Sequence, residues 1–301
     1  MKVRTTLSWA SVLLIGLASA RQGAPEAFQP FTPRAYRIIN GVAFDGNDDT
    51  MIFALLNREV LAHRGRPDST APETALFTSQ RTPDGWTEPS LLQFSGSFAD
   101  YEPALSIDGN TLLFNSKRPY PDGRTPARND LYIVQRRGGT WGTPRPLAGI
   151  NSFDLEESYA TMDSARRVVF VRGPVVEGGD DFDLYEFTLS ADGTTSEPLG
   201  LPFSGPEFGE GDPQLARDGS FLIFTRWDHR VGWQQTCDLY LSFRGTVGWT
   251  IPVPLAELNT PQPDYAAALS PDGRWLYYRA GARYLRIALG PVLDSARART
   301  Q

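Results

Sequence analysis

The chain has 301 residues, 41% of them hydrophobic and 21% charged, with 28 glycines and 24 prolines. That composition excludes a disordered or collagen-like chain and allows one large domain or two small ones. The formal net charge of −6 comes with no basic stripe, which argues against nucleic acid as a partner.

In chain order, Lys2 and Arg4 precede an apolar run from Leu7 to Leu17 and the small residues Ala18-Ser19-Ala20. This is the pattern of a secretory signal over residues 1–20, with an apolar stretch too short to span a bilayer. No later stretch reads as a membrane span. Lys2 and Lys117 are the only lysines, an arginine bias that fits a GC-rich bacterial genome. The expected location is therefore the periplasm or the outside of the cell. Cys237 is the only cysteine, so stability must come from a core and not from an internal disulfide.

Further along the chain one unit repeats. "AFDGNDDTMIF" ends at Phe53, "ALSIDGNTLLF" at Phe114, "ATMDSARRVVF" at Phe170, "QLARDGSFLIF" at Phe224 and "ALSPDGRWLYY" at Tyr278, with spacings of 61, 56, 54 and 54 residues. Asp-Leu-Tyr recurs at Asp130, Asp183 and Asp238. A Trp followed three residues later by Pro recurs at Trp86, Trp141 and Trp249. Three landmarks on one period make this a repeat architecture.

Each unit reads as four short strands. In the second they are Ala104–Ser106, Thr111–Asn115, Asp130–Arg136 and the region Trp141–Ala148, with Asp108-Gly109 turning the first hairpin. The expected fold is all-β: a β-propeller of five four-stranded blades, with six as the alternative, occupying residues 21–290 ahead of a tail over 291–301. The fifth unit lacks its own outer strand. The segment 26–33, "EAFQPFTP", is expected to supply it and so close the ring.

The stretches "EPALSIDGNTLLFNSKRP" and "YAAALSPDGRWLYYRA", with the Asp-Leu-Tyr strand and the Asn of "LAGINS" and "LAELNT", resemble the WD40-like (PD40) repeats of TolB-type propellers. The resemblance covers nearly the whole chain after residue 20. It implies an exported propeller that serves as a binding module. The chain departs from TolB itself, which has a sizeable domain before its propeller and a sixth blade.

No motif for a catalytic zinc, a redox dithiol, a nucleophile elbow or a phosphate loop is present. His63 and His229 fall in polar loops of different repeats. Asp130, Asp183 and Asp238 read as strand-start turn residues. Counting fourteen residues back from each strand-end aromatic gives Ile39 in the first repeat and a carboxylate in the other four, Asp100, Glu156, Glu210 and Asp264; two residues further on lie Glu102 and Asp212. The starts of innermost strands gather at one mouth of a propeller, so these carboxylates would form a ring there. Such a ring could hold Ca²⁺ or Mg²⁺, hard cations that take oxygen ligands; the resemblance implies bound channel ions as well.

The returning strands place Lys117 or Arg118, Arg172, Arg226 and Arg279 at the same mouth, so each acid could instead pair with its own blade's base. With Tyr101, Tyr159 and Tyr265, the ring would also suit a peptide or an envelope or secreted protein. The leading expectation is thus a non-catalytic, monomeric binding module. A carbohydrate-active enzyme using Glu210 and Asp212 and a purely structural ring are the alternatives.

Overall fold

The computed structural model describes residues 23–28, 30, 36, 38–126, 128–175 and 181–300. The signal-like segment 1–20 lies outside them, as do residues 21, 22, 29, 31–35, 37, 127, 176–180 and 301.

Five antiparallel sheets stand in a ring. In the second blade Asp100–Leu105 lies innermost and pairs with Thr111–Ser116, which pairs with Asp130–Arg137. Its outermost strand is broken into Thr140–Trp141 and Arg145–Pro146. Pro144 lies in the gap, and a proline has no N–H to give to a ladder. The asparagine of the "LAGINS" and "LAELNT" segments ties each outer edge back to the sheet. Asn151 accepts from the Leu131 N–H and donates to its carbonyl, and Asn259 does the same with Leu239.

The ring closes as the sequence suggested. Glu26–Ala27 pairs with Arg283–Ala288 of the fifth blade, in register Glu26 to Arg286, and the Phe28 N–H donates to the Tyr284 carbonyl at 2.9 Å. Five apolar clusters fill the five gaps between consecutive blades, including the gap between the fifth and the first. The repeat aromatics Phe53, Phe114, Phe170, Phe224 and Tyr278 are fully buried within them. No blade can bury both faces alone, so each aromatic is covered only when the next blade packs against it.

Two features differ from the sequence reading. The expected tail is a helix, Leu289–Arg299, with Leu289, Val292 and Ala296 buried against the cluster between the fourth and fifth blades. Their spacing is that of one helical face. In the third blade the innermost hairpin is one residue shorter: Met162 pairs with Val168, whereas Leu105 pairs with Leu112 in the second. Arg166 takes the left-handed conformation there (φ 61°) that Gly109 supplies in the second blade (φ 69°). No helix among the described residues is long and apolar enough to cross a membrane.

Candidate functional site

The shortened turn moves the register of the acidic ring. Counting back across it from Phe170 lands on Glu156, but the residue facing Arg172 is Glu157. The structural acids of the second to fourth blades are therefore Asp100, Glu157 and Glu210. Each pairs with its own blade's arginine: Asp100 with Arg118 at 2.7 Å, Glu157 with Arg172 at 3.1 Å and Glu210 with Arg226 at 2.6 Å. Each also accepts from a serine of the incoming loop: Ser95, Ser152 and Ser204. Each arginine reaches a carbonyl of the same loop, at Phe94, Ile150 and Phe203. The acid, the arginine and the serine together staple the chain as it enters the innermost strand.

This mouth is therefore not a ring of open ligands. Burial outweighs the arginines and raises Asp100 and Glu210 above the ordinary carboxylate range, and pushes Glu157 up to about 7. Glu156 instead accepts from Asn129 and from Arg128. Asp264 accepts from the Thr260 N–H and hydroxyl, and Arg279 turns away from it to the Ile38 carbonyl of the first blade. Among the described residues no group of three or more Asp, Glu, His or Cys is placed to hold a metal, so the suggested Ca²⁺ or Mg²⁺ ring is not formed. His63 is exposed, but His229 is half-buried with Nδ1 3.5 Å from Asp181.

Glu102 and Asp212 behave differently. Every innermost strand carries a bulge midway, and in the second to fifth blades Glu102, Tyr159, Asp212 and Ala266 take positive φ at it, between 43° and 55°. Non-glycine residues in this region cost about 1–3 kcal/mol each, and such bulges redirect side chains. Here the bulge frees a backbone N–H to reach the preceding blade: Tyr159 donates to Asn115 Oδ1 at 3.0 Å and Ala266 to Asp212 Oδ2 at 3.2 Å.

Glu102, Tyr159 and Asp212 line one cavity of about 360 Å³. It runs from the bulges along the inner strand halves to the hairpin turns at Ile107, Asp163, Asp218 and Gly273, the opposite end from the stapled acids. Its wall includes Phe44, Leu105, Met162, Leu215 and Leu269. Asp212 keeps some access to the cavity yet is surrounded by protein, and this burial pushes its carboxyl up to about 6, opposed by the Ala266 N–H. The Tyr159 phenol is raised well above its usual range by burial, with Asp212 and Glu102 both adding to the effect. Tyr101 and Tyr159 are thus walls between blades and not rim residues. Tyr265 sits edge-on to Trp233 at 6.4 Å at the stapled mouth, where Phe98, Phe153 and Trp233 are exposed.

The sequence singled out Glu102 and Asp212 but placed them at the wrong depth. It listed Tyr159 without its equivalence to them, because the short turn hid the register. The bulge leaves no sequence signal.

No family model matches the chain, and no curated protein does. Among solved structures, a protein of unknown function from Dyadobacter fermentans is 14% identical, covering 92% of this chain and 85% of that one with a TM-score of 0.55. An oligogalacturonate lyase in complex with manganese is 14% identical over 87% of this chain and 68% of that one (TM-score 0.48). A thermostable family-43 glycoside hydrolase is 10% identical over 82% and 88% (TM-score 0.47). At 14% identity the first of these likenesses speaks to the fold alone.

Proposed function

We propose that the chain is an exported, non-catalytic propeller of the TolB-like kind that binds a segment of a peptide or protein, and that the segment is received in the channel cavity. One observation carries this reading: Glu102, Tyr159 and Asp212 converge on a cavity of about 360 Å³ from strained backbone positions. The volume falls in the usual range of about 300–1,000 Å³ for ligand sites, and a large pocket with convergent polar groups is where binding is expected. The stapled acids at the other mouth are occupied in holding loops, which leaves the cavity as the better candidate.

The test is selection of binders from a displayed peptide library, followed by affinity measurements on the wild type and on cavity-filling variants. Met162→Trp and Leu269→Trp, checked for an unchanged melting curve, are expected to weaken selected peptides at least tenfold. Equal affinity would place the site elsewhere.

A second reading, a carbohydrate-active enzyme, loses the expected pair, because Glu210 is held by Arg226 outside the cavity, and is supported instead by Asp212, a cavity carboxyl raised to about 6 as a general acid requires, with further carboxylates in the same lining. Turnover of arabinan or pectin fragments that disappears in Asp212→Asn would favour it over the non-catalytic reading.

A further inference from the structure

We propose that the folded chain cuts its own backbone between Asp212 and Pro213, with the Asp212 side chain as the attacking group. The inference does not rest on what the channel binds, because the reacting groups belong to the chain itself.

Asp212-Pro213 is the only Asp-Pro sequence in the chain. It joins a carboxyl to a tertiary amide, whose nitrogen leaves as a secondary amine. The fold places it midway along the innermost strand of the fourth blade, where the pairing of Phe208–Leu215 with Phe221–Asp228 skips from Gly211 to Gln214. Asp212 and Pro213 are the two residues left out of that register, and Asp212 has φ 43° there. A residue before proline favours extended conformations, so Asp212 is strained both by its handedness and by its neighbour. Breaking the bond releases that strain. Both residues line the cavity of about 360 Å³, which gives water a way to the bond.

The Ala266 N–H holds Asp212 Oδ2 at 3.2 Å, and among the described residues no hydrogen bond holds Oδ1. Oδ1 attacks the Asp212 carbonyl carbon, and the C–N bond to Pro213 breaks. The electron pair of that bond goes to the proline nitrogen, which also takes the carboxyl proton. What remains at Asp212 is a five-membered cyclic anhydride. One water opens it and leaves Asp212 as a C-terminal residue with two carboxyl groups; nothing else is consumed. Placing attacking group and target in one residue turns a bimolecular hydrolysis into a ring closure.

The step uses the protonated carboxyl, and burial pushes Asp212 up to about 6 against 3.8 ordinarily. The titratable groups around it are Tyr159 and Cys237, which feel its charge, and Glu102 in the same lining; none is a cation that would hold it ionised. The second blade supplies a comparison within the molecule. Glu102-Pro103 occupies the equivalent bulge with φ 50°, but its longer side chain would have to close a six-membered ring. A cut in the fourth blade leaves the ring assembled. Residues 208–211 stay paired with 225–228, and 214–215 with 222–223, so both new ends remain in one sheet.

The test is incubation of the purified chain at pH 5 and pH 8, folded and in urea, read by denaturing gels and intact mass. The folded chain is expected to give fragments ending at Asp212 and beginning at Pro213, with summed masses equal to the chain plus one water, while gel filtration still shows one species. Cutting at pH 5 should be about a hundredfold faster than at pH 8, and about tenfold faster than in urea at pH 5, where the carboxyl returns to its ordinary value. Asp212→Asn and Asp212→Glu should stay intact over the same time. A chain that stays whole at pH 5, an equal rate in urea, a cut at Glu102-Pro103 as fast as at Asp212-Pro213, or cutting of either variant at the wild-type rate would overturn the proposal. The comparison of folded with unfolded wild type decides even where a variant fails to fold.

Discussion

The Arg217 guanidinium of the fourth blade donates through Nη2 to the Asp45 carbonyl of the first blade at 3.0 Å, bridging two blades that are not neighbours in the ring. Nη1 reaches the Gly46 carbonyl at 3.1 Å. The Arg217 carbonyl in turn accepts from the Ser164 N–H of the third blade, and the Gly46 N–H donates to the Ile107 carbonyl of the second. The turn end of the channel is thus laced across its width, whereas the stapled end is held blade by blade.

Removing this bridge should loosen the ring. Arg217→Ala is expected to cost about 2 kcal/mol in urea unfolding, since it deletes two charge-assisted bonds. An unchanged midpoint would mean that water replaces the bridge at no cost.

The register of the third blade gives a sharper contrast between two adjacent glutamates. Glu157→Ala removes the bonds to Ser152 and leaves Arg172 without its carboxylate, so a loss of about 3 kcal/mol is expected. Glu156→Ala gives up only the Asn129 and Arg128 bonds and should cost about 1 kcal/mol. Denaturant melts of the two variants measure the difference, and the reverse order would contradict the register.

What could be read from the sequence follows from what side-chain identity encodes. The strand-end aromatics marked the blades because one large apolar residue is needed at each gap, and "EAFQPFTP" marked the closure because an unpaired edge must be covered. The helix at Leu289–Arg299 buries Leu289, Val292 and Ala296 on one face, but no capping side chain marks its start, so the sequence reads there as a tail. The shortened turn at Asp163–Arg167 was not visible, because Arg166 does there what glycine does elsewhere. The bulges at Glu102, Tyr159, Asp212 and Ala266 were hidden for the same reason: their conformation is imposed by neighbouring blades and not by residue type. Of the acid–arginine pairs expected within a blade, Asp100 with Arg118 and Glu210 with Arg226 form, whereas Arg172 takes Glu157 in place of Glu156 and Arg279 leaves Asp264 for the Ile38 carbonyl. The cavity lay at the other end, where tight Asp-Gly turns gave no functional signal.

The pH dependence of stability should run in an uncommon direction. The Asp212 carboxyl sits near 6 in the folded chain against 3.8 ordinarily, so between those values the folded state holds a proton that the unfolded chain has released. Stability therefore falls as pH rises through this window, and the loss is complete above about pH 6. Glu157, raised to about 7, acts in the same sense. Asp212→Asn should be more stable than wild type at pH 7.5, by up to about 3 kcal/mol, and equal to it below pH 4. Urea melts at the two pH values decide; a destabilised variant at pH 7.5 would show that the carboxylate is paired as an anion.

Ring closure depends on a short contact. Glu26 and Ala27 pair with the fifth blade, Glu26 accepts from Arg286, and Phe28 packs on Tyr277 and Tyr284. A chain beginning after Phe28 leaves the edge of Arg283–Ala288 exposed. It is expected to melt lower and to self-associate in light scattering as its concentration rises. A truncated chain that stays monomeric with an unchanged melting temperature would mean that closure rests on the apolar gap alone.

The most direct measurement is a crystal structure of the chain with a peptide selected for binding. The expected result is ligand density in the cavity, in contact with Tyr159, Met162 and Asp212. Density instead at the stapled mouth, among Phe98, Phe153 and Trp233, with only water beside Asp212, would contradict the channel as the site.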